Sequence, residues 1–178
     1  MPGIPTIETP RLLLRSHHLN DFADYVALWA DPDVVRYISG TPATREQSWT
    51  KMMRSAGHWH HLGFGFMAIE EKETGRFIGE AGFHEARRDV TPSVEGTLET
   101  GWILFPDCHG KGYAFEAVSA LIQWAKANFP DLPMTSIIHP DNGRSLKLAG
   151  KLGFAEIART NYSGSEIVIL SRTETQPA

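Results

Sequence analysis

The segment with the clearest chemical potential is Thr100-Gly-Trp-Ile-Leu-Phe-Pro-Asp-Cys-His-Gly-Lys-Gly-Tyr-Ala-Phe-Glu-Ala117. A strand-like run, Leu98 to Leu104, passes through a turn holding Gly110 and Gly112 into a helical stripe of Phe115, Val118, Leu121, Ile122 and Ala125. The first amides of a helix have no carbonyl partners and lie at the positive end of its dipole, so strand, turn and helix N-terminus in this order can hold a phosphate. The two glycines let the backbone come close, and Lys111 adds a cation. The spacing is neither that of a P-loop nor the three-glycine dinucleotide fingerprint. A pyrophosphate on some other carrier remains, beside the alternative of a tight turn that binds nothing.

The flanking patterns define the elements that must position this turn. Arg11 to Arg15 reads as a first strand, followed by a helix capped at Asn20 or Asp21 with Phe22, Tyr25, Val26 and Trp29 on one face, stopped at Asp31-Pro32. Thr44 and Gln47 form a capping pattern for a polar helix reaching toward His58, which Gly63 and Gly65 break. Phe66 to Glu70, Phe77 to Phe83 and Leu98 to Leu104 are short strands, predicting an antiparallel meander. Beyond the central helix, which ends before Pro130, come a strand at Met134 to Ile138 and a helix capped by Asp141 or Asn142 and closed by Gly153. Two last strands follow at Phe154 to Tyr162 and Glu166 to Leu170. This is an α+β order with a strand-helix-strand crossover.

At 178 residues the chain has the length of about one domain, with a core from about residue 9 to 172 and tails at Met1 to Thr6 and Thr173 to Ala178. Its 42% hydrophobic and 21% charged residues exclude a disordered chain. A net charge of −4 gives no field that would draw it to nucleic acid or an anionic membrane. A single cysteine, Cys108, excludes an internal disulfide and a multi-cysteine metal site. No apolar run spans a bilayer and the Met-Pro-Gly-Ile-Pro start is unlike a signal peptide, so a cytoplasmic protein is expected.

The motifs resemble those of the GNAT superfamily of acetyl-CoA-dependent N-acetyltransferases, most closely its RimJ/RimL-type branch. The family's Gln/Arg-x-x-Gly-x-Gly/Ala pattern lines up with His109-Gly-Lys-Gly112-Tyr-Ala114, followed by Glu116-Ala117. Its second motif lines up with Asn142-Gly-Arg-Ser145 and Lys151-Leu-Gly-Phe154, and Arg11 to Arg15 is similar to the branch's first strand. His109 and Phe115 depart from the branch's usual residues. The resemblance implies a mixed, largely antiparallel sheet of about seven strands flanked by about four helices. It also implies direct transfer of acetyl from acetyl-CoA to an amine, either a protein N-terminus or a small molecule, with no metal. Relatives often form dimers, which admits a homodimer here.

Such a reaction needs a neutral amine, a polarised carbonyl and a proton for the thiolate. The resemblance places coenzyme contacts at His109, Gly110, Lys111, Gly112, Tyr113, Ala114 and Asn142, and at the main-chain amides of Ile103 and Leu104, where the strand splays after Gly101. Glu99 shares a strand face with Gly101 and is the first candidate for the base, with Glu80 and Glu85 in reserve; it reads equally as an ion-paired strand residue. Ser145 is the candidate acid by resemblance, or simply a first-turn serine, with Tyr113 and Tyr162 as other hydroxyls. Arg144, Lys147 and Lys151 form a basic edge, which is either a solvated face or a lure for phosphates.

His58, His60 and His61 around Trp59 lack the regular spacing of zinc ligands. If the segment 33–66 forms the acceptor side, Trp49, Trp59, His60 and Phe64 are candidates to line the amine pocket. The rival readings are a coenzyme-A-binding sensor that has lost turnover and a metal-dependent hydrolase.

Overall fold

A computed structural model describes residues 3–172, so the expected tail at 173–178 lies outside the described residues. The strands are β1 (Ile7–Glu8), β2 (Leu12–Arg15), β3 (Phe66–Glu71), β4 (Arg76–His84), β5 (Leu98–Leu104), β6 (Met134–Ile138), β7 (Phe154–Tyr162) and β8 (Ser165–Arg172). The helices are α1 (Phe22–Ala30), α2 (Pro32–Val35), α3 (Arg45–Leu62), α4 (Tyr113–Asn128) and α5 (Gly143–Lys151). Eight strands stand where about seven were expected, the extra one being the two-residue edge strand β1. Five helices stand where about four were expected, because α2 adds one turn whose Pro32 opens it and whose Asp31 side chain accepts from Asp33 and Val34 N–H.

All eight strands share one sheet in the order β1-β2-β3-β4-β5-β6-β8-β7. Every pairing is antiparallel except β5 with β6, the pair joined through the α4 crossover. α3 begins with the reciprocal capping box of Thr44 and Gln47 and ends at Gly63 in the left-handed conformation.

Alternation along the strands sends side chains to two packed layers. One face, with Met67, Ile69, Ile78, Phe83, Leu98 and Leu104, packs on Ala117, Val118, Leu121 and Ile122 of α4. The other, with Ala68, Phe77 and Ile103, packs on Tyr25, Leu28 and Trp29 of α1 and Met52 of α3.

The sheet opens in its middle. β5 and β6 pair only at Leu98 with Met134 and Glu99 with Thr135. Beyond that point the Ser136 hydroxyl donates to Thr100 O at 3.0 Å, and β6 leaves to pair with β8.

Candidate active site

The opening exposes main-chain groups of β5 selectively. Phe105 N–H donates to Ile78 O at 3.1 Å, continuing the register in which Gly79 faces Leu104 and Glu80 faces Ile103. Antiparallel alternation then turns the N–H groups of Gly101 and Ile103 toward β4 and those of Trp102 and Leu104 toward the open side. Two carbonyls confirm the sense: Thr100 O meets Ser136, and Leu104 O meets the His109 ring at 3.0 Å. The expectation for Ile103 is therefore corrected. Its amide belongs to the β4 ladder and its side chain to the α1 layer, and Trp102 with Leu104 supplies the open donors.

At the turn, Gly110 and Gly112 have φ of 76° and 82°, where a side chain is strained. The α4 ladder starts with Glu116 N–H to Gly112 O at 3.0 Å. The N–H groups from Gly110 to Phe115 have no acceptor among the described residues. Lys111 is exposed beside them. The His109 N–H is taken up by Pro106 O at 3.1 Å, and its ring Nε2 meets the Leu104 carbonyl, tying turn to strand.

Arg11 and Glu116 brace the turn from outside. The Arg11 guanidinium donates to Lys111 O at 2.9 Å and to Glu116, and lies 4.5 Å from the centre of the Tyr113 ring. Glu116 also accepts from Thr9 Oγ1 at 2.6 Å and Arg11 N–H at 2.9 Å. Both residues stand in the motifs noted in the sequence, but their contact spans 105 positions and carries no local signal. Tyr113 donates its hydroxyl to Glu71, which raises its pKa and commits it to the strand edge.

Asn142 caps α5: its Oδ1 accepts from Ser145 N–H at 3.2 Å. The Ser145 hydroxyl has no partner among the described residues and is half-buried. The basic edge of Arg144, Lys147 and Lys151 is exposed.

Glu99 is 4% exposed and engaged at both oxygens. Arg88 reaches it bidentately, Nε at 2.9 Å from Oε2 and Nη2 at 2.8 Å from Oε1, and His84 Nε2 stands 2.8 Å from Oε1. Burial alone would raise its pKa, but the His84 and Arg88 hydrogen bonds outweigh that and bring it down to about 2. Glu99 is thus a carboxylate with little basicity, and its proposed role as the direct proton acceptor does not fit its surroundings. Of the reserves, Glu80 is 3% exposed, accepting from the Tyr25 hydroxyl and Trp29 Nε1, both at 3.1 Å. His17 Nε2 is 3.0 Å from its other oxygen, too poorly aligned to satisfy either atom. Glu85 faces the Arg87 guanidinium at 3.7 Å.

The four residues expected to line an amine pocket do not come together. Phe64 is 5% exposed in the α4 layer, edge-on to Phe129. Trp59 donates its indole N–H to Phe66 O at 2.9 Å and packs on Trp124, covering Gly65, where any Cβ would overlap the indole. Trp49 borders a separate open hollow with Phe22 and Arg45. His60 is exposed against His61. A second open cleft, of about 360 Å³, is lined by Arg54, His58, His61, Glu85 and Arg87, with His84 next to His58.

An α+β sheet opened between parallel neighbours, with free strand amides leading to an unpaired helix N-terminus, suits an extended, phosphate-bearing ligand. The family model of the GNAT acetyltransferase domain matches residues 11–155, and the chain belongs to that family. It is 31% identical over 150 residues to p20 of Bacillus licheniformis, an uncharacterized N-acetyltransferase, covering 84% of this chain and 82% of that one. An acetyltransferase structure from Agrobacterium tumefaciens is 28% identical with a TM-score of 0.83, covering 98% and 97% of the two chains. RimL, a ribosomal L7/L12 α-N-protein acetyltransferase solved with coenzyme A, shares the fold at a TM-score of 0.77 and 14% identity, with 94% and 97% covered. Among the described residues no helix is long and apolar enough to cross a membrane.

Proposed function

We propose that this chain is a single-domain, cytoplasmic, RimJ/RimL-type N-acetyltransferase that uses acetyl-CoA as substrate and transfers its acetyl group directly to a primary amine. The observation that carries the reading is the run of unpartnered main-chain N–H groups from Gly110 to Phe115 at the start of α4, facing a strand whose Trp102 and Leu104 N–H groups are also open. These residues fit the coenzyme: the turn suits its diphosphate, and the β5 amides suit its amide-containing arm. That RimL binds coenzyme A on the same fold supports the assignment.

In the reaction the amine nitrogen forms a bond to the thioester carbonyl carbon, the carbon-sulfur bond breaks, the amine loses a proton and the thiolate takes one up. An open β5 amide polarises the carbonyl, and a fixed donor of this kind supplies a large share of catalysis in acyl transfer. The Asn142 side-chain nitrogen has no partner among the described residues and is free to donate to the carrier arm. The Ser145 hydroxyl serves as the source of the thiolate's proton. An amine on a protein N-terminus or on a small molecule reaches the carbonyl from the α3 side, through the cleft at Arg54 and His58.

The test is calorimetric titration with acetyl-CoA, followed by thiol release with a panel of amines and N-terminal peptides. Binding with amine-dependent thiol release is expected. Binding without release for every amine would leave a coenzyme-binding sensor, and no binding would end the reading.

A further inference from the structure

Glu99 is the carboxylate nearest the opening of the sheet, yet its two oxygens are covered by Arg88 and His84 and it is 4% exposed. Three contacts close on Oε1 and one on Oε2, and burial leaves an incoming amine or water little access to the rest. The next group outward is His84, whose side chain is 14% exposed. It lies at the end of β4, directly across from Glu99 in the register, at the last rung before β5 and β6 part.

Resting on the acetyltransferase reading above, we propose that His84 takes the proton from the acceptor amine, and that Glu99 and Arg88 are the residues that position it. Nε2 stands 2.8 Å from the buried Glu99 carboxylate, so in the neutral ring the hydrogen is held on Nε2 and the lone pair on Nδ1. Nδ1 has no hydrogen-bond partner among the described residues. The ring is boxed by Phe66, 5.4 Å away, and His58, 6.2 Å away, and His58 forms a wall of the 360 Å³ cleft. Phe66 in turn lies on Gly101, where a Cβ would come within 2.8 Å of its Cζ, so the glycine floor is what lets the ring pack beside His84.

The balance of the step is simple: the ammonium gives one proton to Nδ1, the ring becomes an imidazolium, and Glu99 carries the compensating charge without itself being protonated. The charged and titratable groups around this ring and the adjoining cleft are Arg54 and His58 from α3, Glu85, Arg87 and Arg88 from the loop after β4, and Glu99 from β5. Arg88 is itself held by Glu99 and by the face of Tyr162, 5.2 Å away, which keeps its charge on the carboxylate.

The experiment measures kcat and kcat/KM of the full chain between about pH 5 and 9, for wild type, His84→Gln and Glu99→Gln, with coenzyme A affinity measured calorimetrically. His84→Gln should lower kcat by roughly 10²-fold or more and abolish the acidic limb of the profile, with coenzyme affinity within about twofold of wild type. Glu99→Gln should lower kcat less and move that limb to lower pH, a shift that a merely structural role for Glu99 would not give. A wild-type titration of the His84 ring by NMR must coincide with the kinetic limb, a check that requires no variant. A kcat within about threefold of wild type in His84→Gln, or a ring titration away from the limb, overturns the proposal and leaves the acetyltransferase reading standing. Failure of wild type to release thiol with any amine overturns both.

Discussion

Glu99→Gln removes the one charge on which Arg88 and His84 both close, and its effect on stability can be worked out from the structure. The folded carboxyl titrates at about 2, against 4.5 for an unperturbed glutamate, which corresponds to about 3 kcal/mol. Because the folded value is the lower one, this stabilisation is fully present above 4.5 and drains away as pH falls from there toward about 2. At neutral pH the variant should therefore lose about 3 kcal/mol, partly because it leaves Arg88 half-enclosed without its counter-ion. For a chain of this size that is a fall of roughly 6–12 °C in melting temperature. Circular dichroism melts of both proteins at matched pH values isolate the effect, since Asp21 and Glu116 contribute equally to each curve. The gap should narrow as pH falls below 4.5 and close only at about pH 2 and below, where the folded wild-type carboxylate takes up its proton. Equal melting temperatures at pH 7, or a gap that persists unchanged into acid, would refute the claim that Glu99 is a locked ion-pair partner.

Four further substitutions probe the turn, the core and the hollow beside Trp49. Gly112→Glu places a side chain at φ 82° and a carboxylate among the free amides, so coenzyme A affinity should fall about 100-fold or more while strain costs only about 1–2 kcal/mol; calorimetry and melting give the two numbers. Arg11→Ala takes the donor from Lys111 O, and since that side chain is 47% exposed, stability should change by less than about 1 kcal/mol while coenzyme affinity drops about tenfold, again read by calorimetry. Phe64→Ala should cost about 3–5 kcal/mol in denaturant unfolding, as expected of a core ring, whereas Trp49→Ala should leave KM for the amine within about twofold.

The contrast between the phosphate turn and the acceptor side has a physical origin. The turn is written in consecutive residues: two glycines that accept positive φ, a lysine, and an apolar stripe that fixes where α4 begins, so local chemistry alone points to Gly110 through Ala114. The β3 to β5 meander and the Thr44–Gln47 cap are local in the same sense, while β1 is too short for any alternation to show. The acceptor side is assembled by strand register. Period two places Glu99 on the face of Gly101, but which side chain stands across from it depends on a ladder that pairs position 99 with position 84 and on a loop that returns Arg88. A one-residue slip of β4 would have put Phe83 there and turned His84 into the core layer. Likewise, the aromatic run around Trp59 announces a ring-rich helix without saying which side meets the sheet, and the Trp59 bond to Phe66 O turns that indole inward. A base read from sequence is therefore a statement about a face. In this fold the residue that occupies the face, Glu99, is sealed by its neighbours, and the basicity passes to the histidine that seals it.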